Sequence, residues 1–208
     1  MINDSPIPTP LVIASGNGGK VREFAALLAD LGLEIRPQPE DLEVEETGQT
    51  FVDNARLKAV AVAQATGCWA LADDSGLAVD ALNGAPGVHS ARYAPSDPER
   101  IARLLAELAA ANQQRAEAGL APQRSARFTA ALALADPKGL LRLEVEGHCP
   151  GEILETPRGS GGFGYDPVFL VPETGLSFAE MDKATKARVG HRGRAFALLE
   201  PGLRALLG

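Results

Sequence analysis

The sequence lacks the features that mark secreted, zinc-stapled or membrane-spanning proteins. Of its 208 residues only two are cysteines, Cys68 and Cys149, and they do not form a Cys-x-x-Cys pair. This usage indicates a reducing compartment and argues against a structural zinc site. No run of about 18 apolar residues could cross a membrane. Asp4 and three prolines by position 10 do not resemble a signal peptide. We therefore predict a cytoplasmic protein.

An excess of positive charge is also absent. The formal net charge is −7, which argues against sequence-independent binding to nucleic acid or to acidic membrane surfaces. A compact anionic ligand is still compatible with this charge, because basic residues can be concentrated locally. The length and the hydrophobic fraction of 45% suffice for one large domain with its own core. Since we find no repeat and no long linker, we predict a single domain over residues 1–208.

Apolar spacing predicts strands that alternate with helices early in the chain, followed by a hairpin. The predicted strands cover 10–15, 68–72, 127–135 and 140–147, and the predicted helices cover 21–31, 50–66, 97–111 and 194–207. Asp97 is expected to cap the third helix, and residues 112–124 are expected to form an exposed tail and loop. This order predicts an α/β protein with a mixed β-sheet flanked by helices.

Two adjacent carboxylates at a predicted strand end are the most informative feature. Asp73 and Asp74 follow the apolar run 68–72, and Ser75 and Gly76 come next. Because side chains alternate across a strand, the two carboxylates should point to opposite faces where the strand leaves the sheet. Open α/β sheets bind ligands at such ends. One carboxylate there could hold a divalent metal, although an Asx-turn that closes the strand would explain the same residues.

The loop between the first strand and the first helix has the composition of a phosphate-binding site. It consists of Ser15, Gly16, Asn17, Gly18, Gly19 and Lys20. Its glycines let backbone N–H groups approach a phosphate, and the following helix N-terminus favours an anion. Lys20 adds a full positive charge. The spacing is not that of a Walker A loop, and a glycine turn before a helix is more often structural.

Three further clusters complete the candidate site. Glu43, Glu45 and Glu46 precede the second helix, where they could bind Mg²⁺ or simply complement the helix dipole. The glycine-rich segment 157–167 carries aromatic residues that could stack on a base, or could instead cap a core hairpin. A basic cluster at 183–194 includes a histidine and could equally be a solvated face.

Together these segments resemble the Ham1-like inosine triphosphate pyrophosphatases. The resemblance extends from residue 12 to about residue 199. Its carriers are Ser15-Gly16-Asn17 with Lys20 and Glu23; Glu46-Thr47-Gly48 with Thr50-Phe51 and Asn54-Ala55; Asp73 to Leu77 with Val79 to Leu82; Gly84 with Pro86 to Val88; Ser90 to Tyr93; Gly161 to Pro167; and His191-Arg192. One departure is Gly190, because the family usually has Ser before the His-Arg pair. A hydrogen bond or helix cap from that hydroxyl is therefore missing.

The resemblance implies a homodimer with two lobes and a nucleotide-binding cleft between them. It also implies Mg²⁺-dependent hydrolysis of ITP, dITP and XTP to the monophosphate and pyrophosphate. Asp74 is the implied catalytic residue and a metal ligand, with Glu45 favoured over Glu46 as the second ligand. The implied substrate-binding residues are Ser15, Gly16, Asn17, Gly18, Gly19, Lys20, Ser75, Phe163, Gly164, Tyr165, Asp166, Lys186, His191 and Arg192.

Base choice follows from hydrogen-bond complementarity. Hypoxanthine and xanthine present a 6-keto acceptor and an N1–H donor, which suit cationic donors from Lys186, His191 and Arg192 and the carboxylate of Asp166. Adenine would place donor against donor, which a polar pocket rejects strongly. Two alternatives are a nucleotide sensor without catalysis and a Maf-like pyrophosphatase for standard or methylated nucleotides. The aromatic loop at 163–166 and the His-Arg pair disfavour the Maf-like alternative.

Overall fold

The computed structural model describes residues 9–208, so the predicted features of the first eight residues lie outside the described part. Within that part it has seven strands and five α-helices. The strands are β1 Pro10–Ala14, β2 Glu34–Pro37, β3 Trp69–Val79, β4 Ser125–Ala135, β5 Leu141–Ile153, β6 Phe169–Val171 and β7 Leu176–Ser177. The helices are α1 Gly18–Leu27, α2 Phe51–Thr66, α3 Asp97–Glu117, α4 Lys183–Val189 and α5 His191–Leu207.

All seven strands belong to one mixed sheet, as predicted. Its order is β2-β1-β3-β4-β5-β6-β7. Strand β1 is parallel to β2 and to β3, whereas β6 is antiparallel to both β5 and β7. The α/β class is therefore confirmed, with the parallel part of the sheet formed by the strands that alternate with α1 and α2.

Strand β3 corrects one prediction, because it does not end at Ala72. It continues to Val79, although its parallel register with β1 ends at Ala72. The reason is that Leu77 and Val79 are fully buried in a hydrophobic core and hold the strand in the sheet beyond its polar residues. Asp73 and Asp74 consequently lie inside a long strand, just past the end of β1.

Helix α2 has the predicted boundaries. The Thr50 hydroxyl accepts a hydrogen bond from the Asp53 N–H at 3.1 Å, and Gly67 ends the helix in the left-handed region with φ of 64°. Helix α1 is shifted relative to the prediction, since it begins at Gly18 inside the predicted glycine loop and ends at Leu27, after which a short 3-10 helix carries the chain to Gly32.

Helix α3 differs from the prediction at both ends. Its cap is Ser96 rather than Asp97, because Ser96 and Glu99 form a capping box. The helix also runs through residues 112–117, which were expected in a loop. Their alanine, glutamine, arginine and glutamate residues are good helix formers. Four elements escaped prediction because they are too short to show a period: the strands β2, β6 and β7 and the helix α4.

The chain divides into two compact units. The first unit comprises the described residues of Met1–Asp73 together with Ala131–Val145 and Phe196–Gly208, and the second comprises Asp74–Ala130 and Glu146–Ala195. One hydrophobic cluster of the first unit consists mainly of small side chains, above all alanine. The core of the second unit contains Phe128, Phe169 and Phe178, whose ring centroids lie 4.7 to 5.6 Å apart. The single domain and the two-lobed cleft stay predictions.

In the described range, none of the helices combines the length and the apolar character that a membrane span requires.

Candidate active site

The phosphate-loop candidate lies in the first unit and is held by its own asparagine. The Asn17 side-chain oxygen accepts hydrogen bonds from the N–H groups of Gly19 at 2.8 Å and Lys20 at 3.2 Å, and so caps α1. The Ser15 hydroxyl accepts from the Asn17 N–H at 3.1 Å. The loop therefore has a fixed conformation at the end of β1. In this structure the Gly19 amide, predicted to bind phosphate, lies in the first turn of α1 and donates to the Asn17 cap.

Lys20 is paired with Asp73 in the same unit. Its ammonium nitrogen lies 2.9 Å from the Asp73 carboxylate and 3.3 Å from the Asp73 carbonyl oxygen. The Asp73 side chain is only 1% exposed. A buried carboxylate needs a cationic or hydrogen-bonding partner. The two adjacent aspartates therefore differ in role, because Asp73 positions a lysine from the phosphate loop.

Lys58 contacts two predicted site segments and was not among the residues predicted from the sequence. Its ammonium donates to the Asp73 carbonyl oxygen at 3.0 Å and pairs with Glu46 at 2.8 Å. Glu46 is half-buried, whereas Glu45 is exposed. The Gly48 N–H donates to the buried Asn54 side chain at 2.8 Å, which fixes the acidic segment to α2. A signal was present, because residue 58 follows Asn54 by one helical turn.

In the second unit, Arg192 contacts both Ser75, which follows the two adjacent aspartates, and Phe163 of the glycine-rich segment 157–167. Its guanidinium donates to the Ser75 hydroxyl at 2.6 Å, and its Cζ atom lies 5.4 Å from the centroid of the Phe163 ring. That distance is within the range of a cation–π interaction. Asp74, which immediately precedes Ser75, is 7% exposed. Arg192 of the basic pair and Ser75, which follows the two aspartates, are therefore in contact.

Asp166 fixes the glycine loop. One carboxylate oxygen accepts from the Phe163 N–H at 2.9 Å and from the Lys186 ammonium at 2.6 Å. Burial raises the pKa of the Asp166 carboxyl, although Lys186, the Phe163 N–H and Arg192 act in the opposite direction. Lys186 also lies 5.3 Å from the Phe163 ring centroid. The aromatic ring is therefore flanked by two cationic side chains.

Gly162 is required by this arrangement. Its φ is +74°, and a Cβ atom there would overlap the Asp166 carboxylate. Only glycine thus satisfies both the backbone conformation and the close approach of that carboxylate.

His191, predicted to be a donor to the base, is buried. Its ring is 3% exposed and stacks on Phe128, with centroids 4.7 Å apart and planes 11° apart. The imidazole is therefore part of the core of the second unit. Gly147 on β5 allows this position, because a Cβ atom there would overlap the backbone of His191 and Ala195. The first turn of α5 thus packs directly against the strand.

Gly190, the one departure from the family pattern noted in the sequence, closes helix α4. Its N–H donates to the Lys186 carbonyl oxygen at 2.8 Å, so the helix end is satisfied without a hydroxyl. A Cβ atom at this position would lie 2.5 Å from the same oxygen. The glycine therefore permits a tight junction between Lys186 and the start of α5.

The donor chemistry is compatible with magnesium. In the described part of the chain, no three His, Cys, Asp or Glu side chains converge as a preformed metal cluster. Mg²⁺ usually takes only one or two carboxylates and completes its shell with water and phosphate oxygens. The Asp74 carboxylate in the second unit and the Glu46 carboxylate in the first unit are ligands of the required type.

A model of the Ham1 family matches residues 11–201. The chain belongs to the Ham1 family. A protein named dITP/XTP pyrophosphatase from Synechococcus sp. (strain CC9311) is 61% identical over 197 residues, which cover 95% of this chain and 91% of that protein. A protein of the same name from Parasynechococcus marenigrum (strain WH8102) is 59% identical over 95% of this chain and 96% of that protein. A solved Ham1 structure from Coxiella burnetii is 43% identical with a TM-score of 0.83, covering 95% of this chain and 99% of that one.

Within this Ham1 chain, most predicted site residues fall into two clusters. The cluster of the first unit contains the 15–20 loop, Asp73, Glu46 and Lys58. The cluster of the second unit contains Ser75, Phe163, Asp166, Lys186 and Arg192. Glu45 joins neither cluster through the contacts described above, and the catalytic, substrate-binding and metal-binding roles stay predictions.

Proposed function

We propose that this Ham1 chain hydrolyses ITP, dITP and XTP to the monophosphate and pyrophosphate with Mg²⁺, and so cleanses the nucleotide pool. The relatives named dITP/XTP pyrophosphatase support this substrate class. The observation that carries the proposal is the position of Arg192, which contacts Ser75 next to Asp74 and also lies over Phe163. Groups suited to phosphate chemistry and to base recognition are therefore connected by one side chain.

Asp74 is the proposed acceptor of the proton from the attacking water. The oxygen of that water bonds to the α-phosphorus, the bond from this phosphorus to the bridging oxygen breaks, and pyrophosphate leaves with the electron pair. Burial of Asp74 supports the role, because a carboxylate shielded from bulk water is a stronger electrostatic partner for a reacting group. Lys20, held in place by Asp73, is the proposed phosphate ligand of the first unit.

Magnesium, when bound, neutralises the charge that develops on the phosphates. Asp74 is its proposed ligand in the second unit. Glu46 is the proposed carboxylate of the first unit in preference to Glu45, because Lys58 holds the half-buried Glu46 while Glu45 is exposed.

Base selection is proposed to depend on Lys186 and Arg192 as donors to the 6-keto oxygen. Both cations already lie near the Phe163 ring, on which a purine can stack. His191 supports the site by its packed position, because its ring stacks in the core. An adenine 6-amino group would meet cationic donors instead of an acceptor, and this mismatch favours keto purines.

The direct test is turnover of ITP, dITP, XTP and dATP with Mg²⁺, with separate detection of pyrophosphate and orthophosphate. We expect pyrophosphate from the three keto substrates, slow turnover of dATP, and loss of activity when the metal is removed with EDTA. Release of orthophosphate alone, or equal rates with dATP, would refute the proposal. Tight ITP binding without breakdown would favour a nucleotide sensor instead.

The variant Asp74→Asn tests the proposed base. We expect an unchanged fold by circular dichroism and at least a hundredfold loss of kcat, the lower range for removing a general base. The exposed carboxylate Asp41 offers a matched control, and Asp41→Asn should retain full activity. Preserved turnover in Asp74→Asn would remove Asp74 from the chemistry.

We further propose that the protein acts in the cytoplasm as a homodimer. The family resemblance supports the dimer, and cysteine usage supports a reducing compartment. Analytical ultracentrifugation of the full chain measures the oligomeric state, and a monomer at micromolar concentration would contradict this part of the proposal.

A further inference from the structure

We propose that Asp97, at the start of α3, is a positioning residue that sets base selectivity by holding the glycine loop 161–166. This inference rests on the proposed function, because it assigns the loop to base recognition. Asp97 belongs to neither cluster described above. Its role emerges from a contact between segments that are 67 residues apart in sequence.

The contact is a short hydrogen bond to the main chain of the loop. The Gly164 N–H donates to one Asp97 carboxylate oxygen at 2.7 Å. Gly164 directly follows Phe163, whose ring lies between Lys186 and Arg192. A hydrogen bond from an amide to a charged acceptor is stronger than one between neutral groups. Asp97 therefore restrains the backbone beside the aromatic ring.

Asp97 is itself held firmly. Its other carboxylate oxygen lies 2.6 Å from the Arg100 guanidinium, which also donates to the Ala94 carbonyl oxygen at 2.9 Å. The capping box of Ser96 and Glu99 fixes the same turn of α3. The start of α3 is therefore a rigid support, and the Asp97 carboxylate restrains the loop by its hydrogen bond with the Gly164 N–H.

The loop has a second anchor on its far side. The Tyr165 hydroxyl donates to the Ser90 carbonyl oxygen at 2.9 Å, and the Ser90 hydroxyl accepts from the Leu77 N–H at 2.9 Å. Asp97 and Ser90 therefore hold the consecutive loop residues Gly164 and Tyr165 from different elements. Removal of Asp97 should loosen the main chain at Gly164, next to Phe163, while the Tyr165 contact and the hydrogen bond from the Phe163 N–H to Asp166 stay in place.

The test compares Asp97→Ala with Asp97→Asn in the full-length enzyme. For Asp97→Ala we expect KM for ITP to rise about tenfold, as for loss of one charge-assisted hydrogen bond. The value of kcat should stay within about twofold, because the lost contact stabilises the bound substrate and the transition state equally. Turnover of dATP should change little, so the preference for ITP falls about tenfold. Asp97→Asn retains an acceptor oxygen and should restore most of the preference.

Two controls separate positioning from helix stability. Glu99→Gln removes a negative charge from the same helix turn but keeps an acceptor for the capping box, and it should leave the ITP preference unchanged. Hydrogen exchange of the 161–166 amides, followed by mass spectrometry, measures how firmly Asp97 holds the loop and does not depend on enzyme activity. Exchange should be faster in Asp97→Ala than in the native chain or in Asp97→Asn.

The outcomes distinguish this inference from the proposed function. A native enzyme that releases no pyrophosphate from ITP refutes the proposed function, while faster loop exchange in Asp97→Ala would still support the anchor. An active native enzyme whose ITP preference survives in Asp97→Ala refutes the selectivity role of Asp97. Equal losses on ITP and dATP, with a lowered melting temperature, would also overturn it, because they indicate a purely structural effect.

Discussion

At the residue scale, the candidate cations are all held by acceptors. Lys20 is paired with Asp73, and Lys186 is paired with Asp166. Ion pairs that are largely shielded from solvent stabilise a protein little. Loss of one partner is nevertheless costly, because the other charge is left buried without a partner. Their value here is geometric, since each pair fixes a charged group before any ligand arrives. Such pre-organisation lowers the entropy cost of binding.

Substitution of Gly162 tests how closely this geometry is determined. Gly162→Ala would place a methyl group against the Asp166 carboxylate in a left-handed backbone conformation. We expect a loss of more than 2 kcal/mol of unfolding free energy, about the cost of the left-handed conformation plus a steric clash, and a large rise in KM for ITP. Thermal melting and steady-state kinetics measure the two effects.

Gly164 provides the matched control for that prediction. Its φ is +62°, but a Cβ atom there meets nothing within 4 Å. Gly164→Ala should therefore show only the conformational cost of about 1–2 kcal/mol. If both variants behaved alike, contact with Asp166 would not be the reason for glycine at position 162.

At the element scale, long periodic segments were predictable and short or interrupted ones were not. Helix α2 and strand β1 follow from apolar spacing and from caps such as Thr50. The length of β3 was underestimated because Asp73 and Asp74 interrupt the apolar pattern, while the core contacts of Leu77 and Val79 decide the pairing. Residue types of the site were predictable from motifs, but their partners were not. Lys58 and Asp97 act through residues distant in sequence, and pairings of that kind depend on the folded arrangement.

Helix α4 is short, and its cap should matter for the site. The Asp182 side chain accepts from the Thr185 N–H at 2.7 Å, and this hydrogen bond lowers the pKa of the Asp182 carboxyl. Asp182→Ala should destabilise the helix by about 1 kcal/mol, the usual cost of a lost N-cap. Because Lys186 lies in this helix, KM for ITP should rise by a few-fold, which steady-state kinetics would measure.

Asp182→Asn is the control, because asparagine is an equally good cap. It should restore both stability and KM. A normal KM in Asp182→Ala would show that Lys186 holds its position without the helix cap.

The turn between β4 and β5 predicts a pH dependence. Desolvation alone would raise the pKa of the Asp136 carboxyl, but the N–H groups of Leu140 and Lys138 and the Arg142 guanidinium outweigh it and lower the pKa. A carboxyl with a lowered folded-state pKa stabilises the protein above its unfolded-state pKa, and this stabilisation is lost as pH falls through the folded value. Asp136→Asn should therefore lower the urea midpoint at pH 7 and have a smaller effect near pH 3. A difference that stays constant with pH would contradict the ionic origin.

At the scale of the whole molecule, the chain passes repeatedly between its two units. The boundaries fall after Asp73, Ala130, Val145 and Ala195. Strands β3, β4 and β5 and helix α5 therefore each contribute residues to both units. Neither unit is a continuous segment, because the first is formed by three stretches of the chain and the second by two.

We accordingly expect one cooperative unfolding transition. Trp69 is the only tryptophan and belongs to the first unit, whereas the buried Cys149 belongs to the second. In a Cys68→Ser background, tryptophan fluorescence and pulsed thiol labelling should give the same urea midpoint, because shared strands couple the two cores. Separated midpoints would show that the units unfold independently.

The close packing of Gly147 against the first turn of α5 has a consequence for how this enzyme could acquire new substrates. A methyl group at position 147 would press on the main chain of His191 and Ala195, and the displacement would reach Arg192 without altering any group proposed to meet the nucleotide. Laboratory evolution toward other bases should therefore sample Gly147 on β5 as well as the residues proposed to contact the nucleotide.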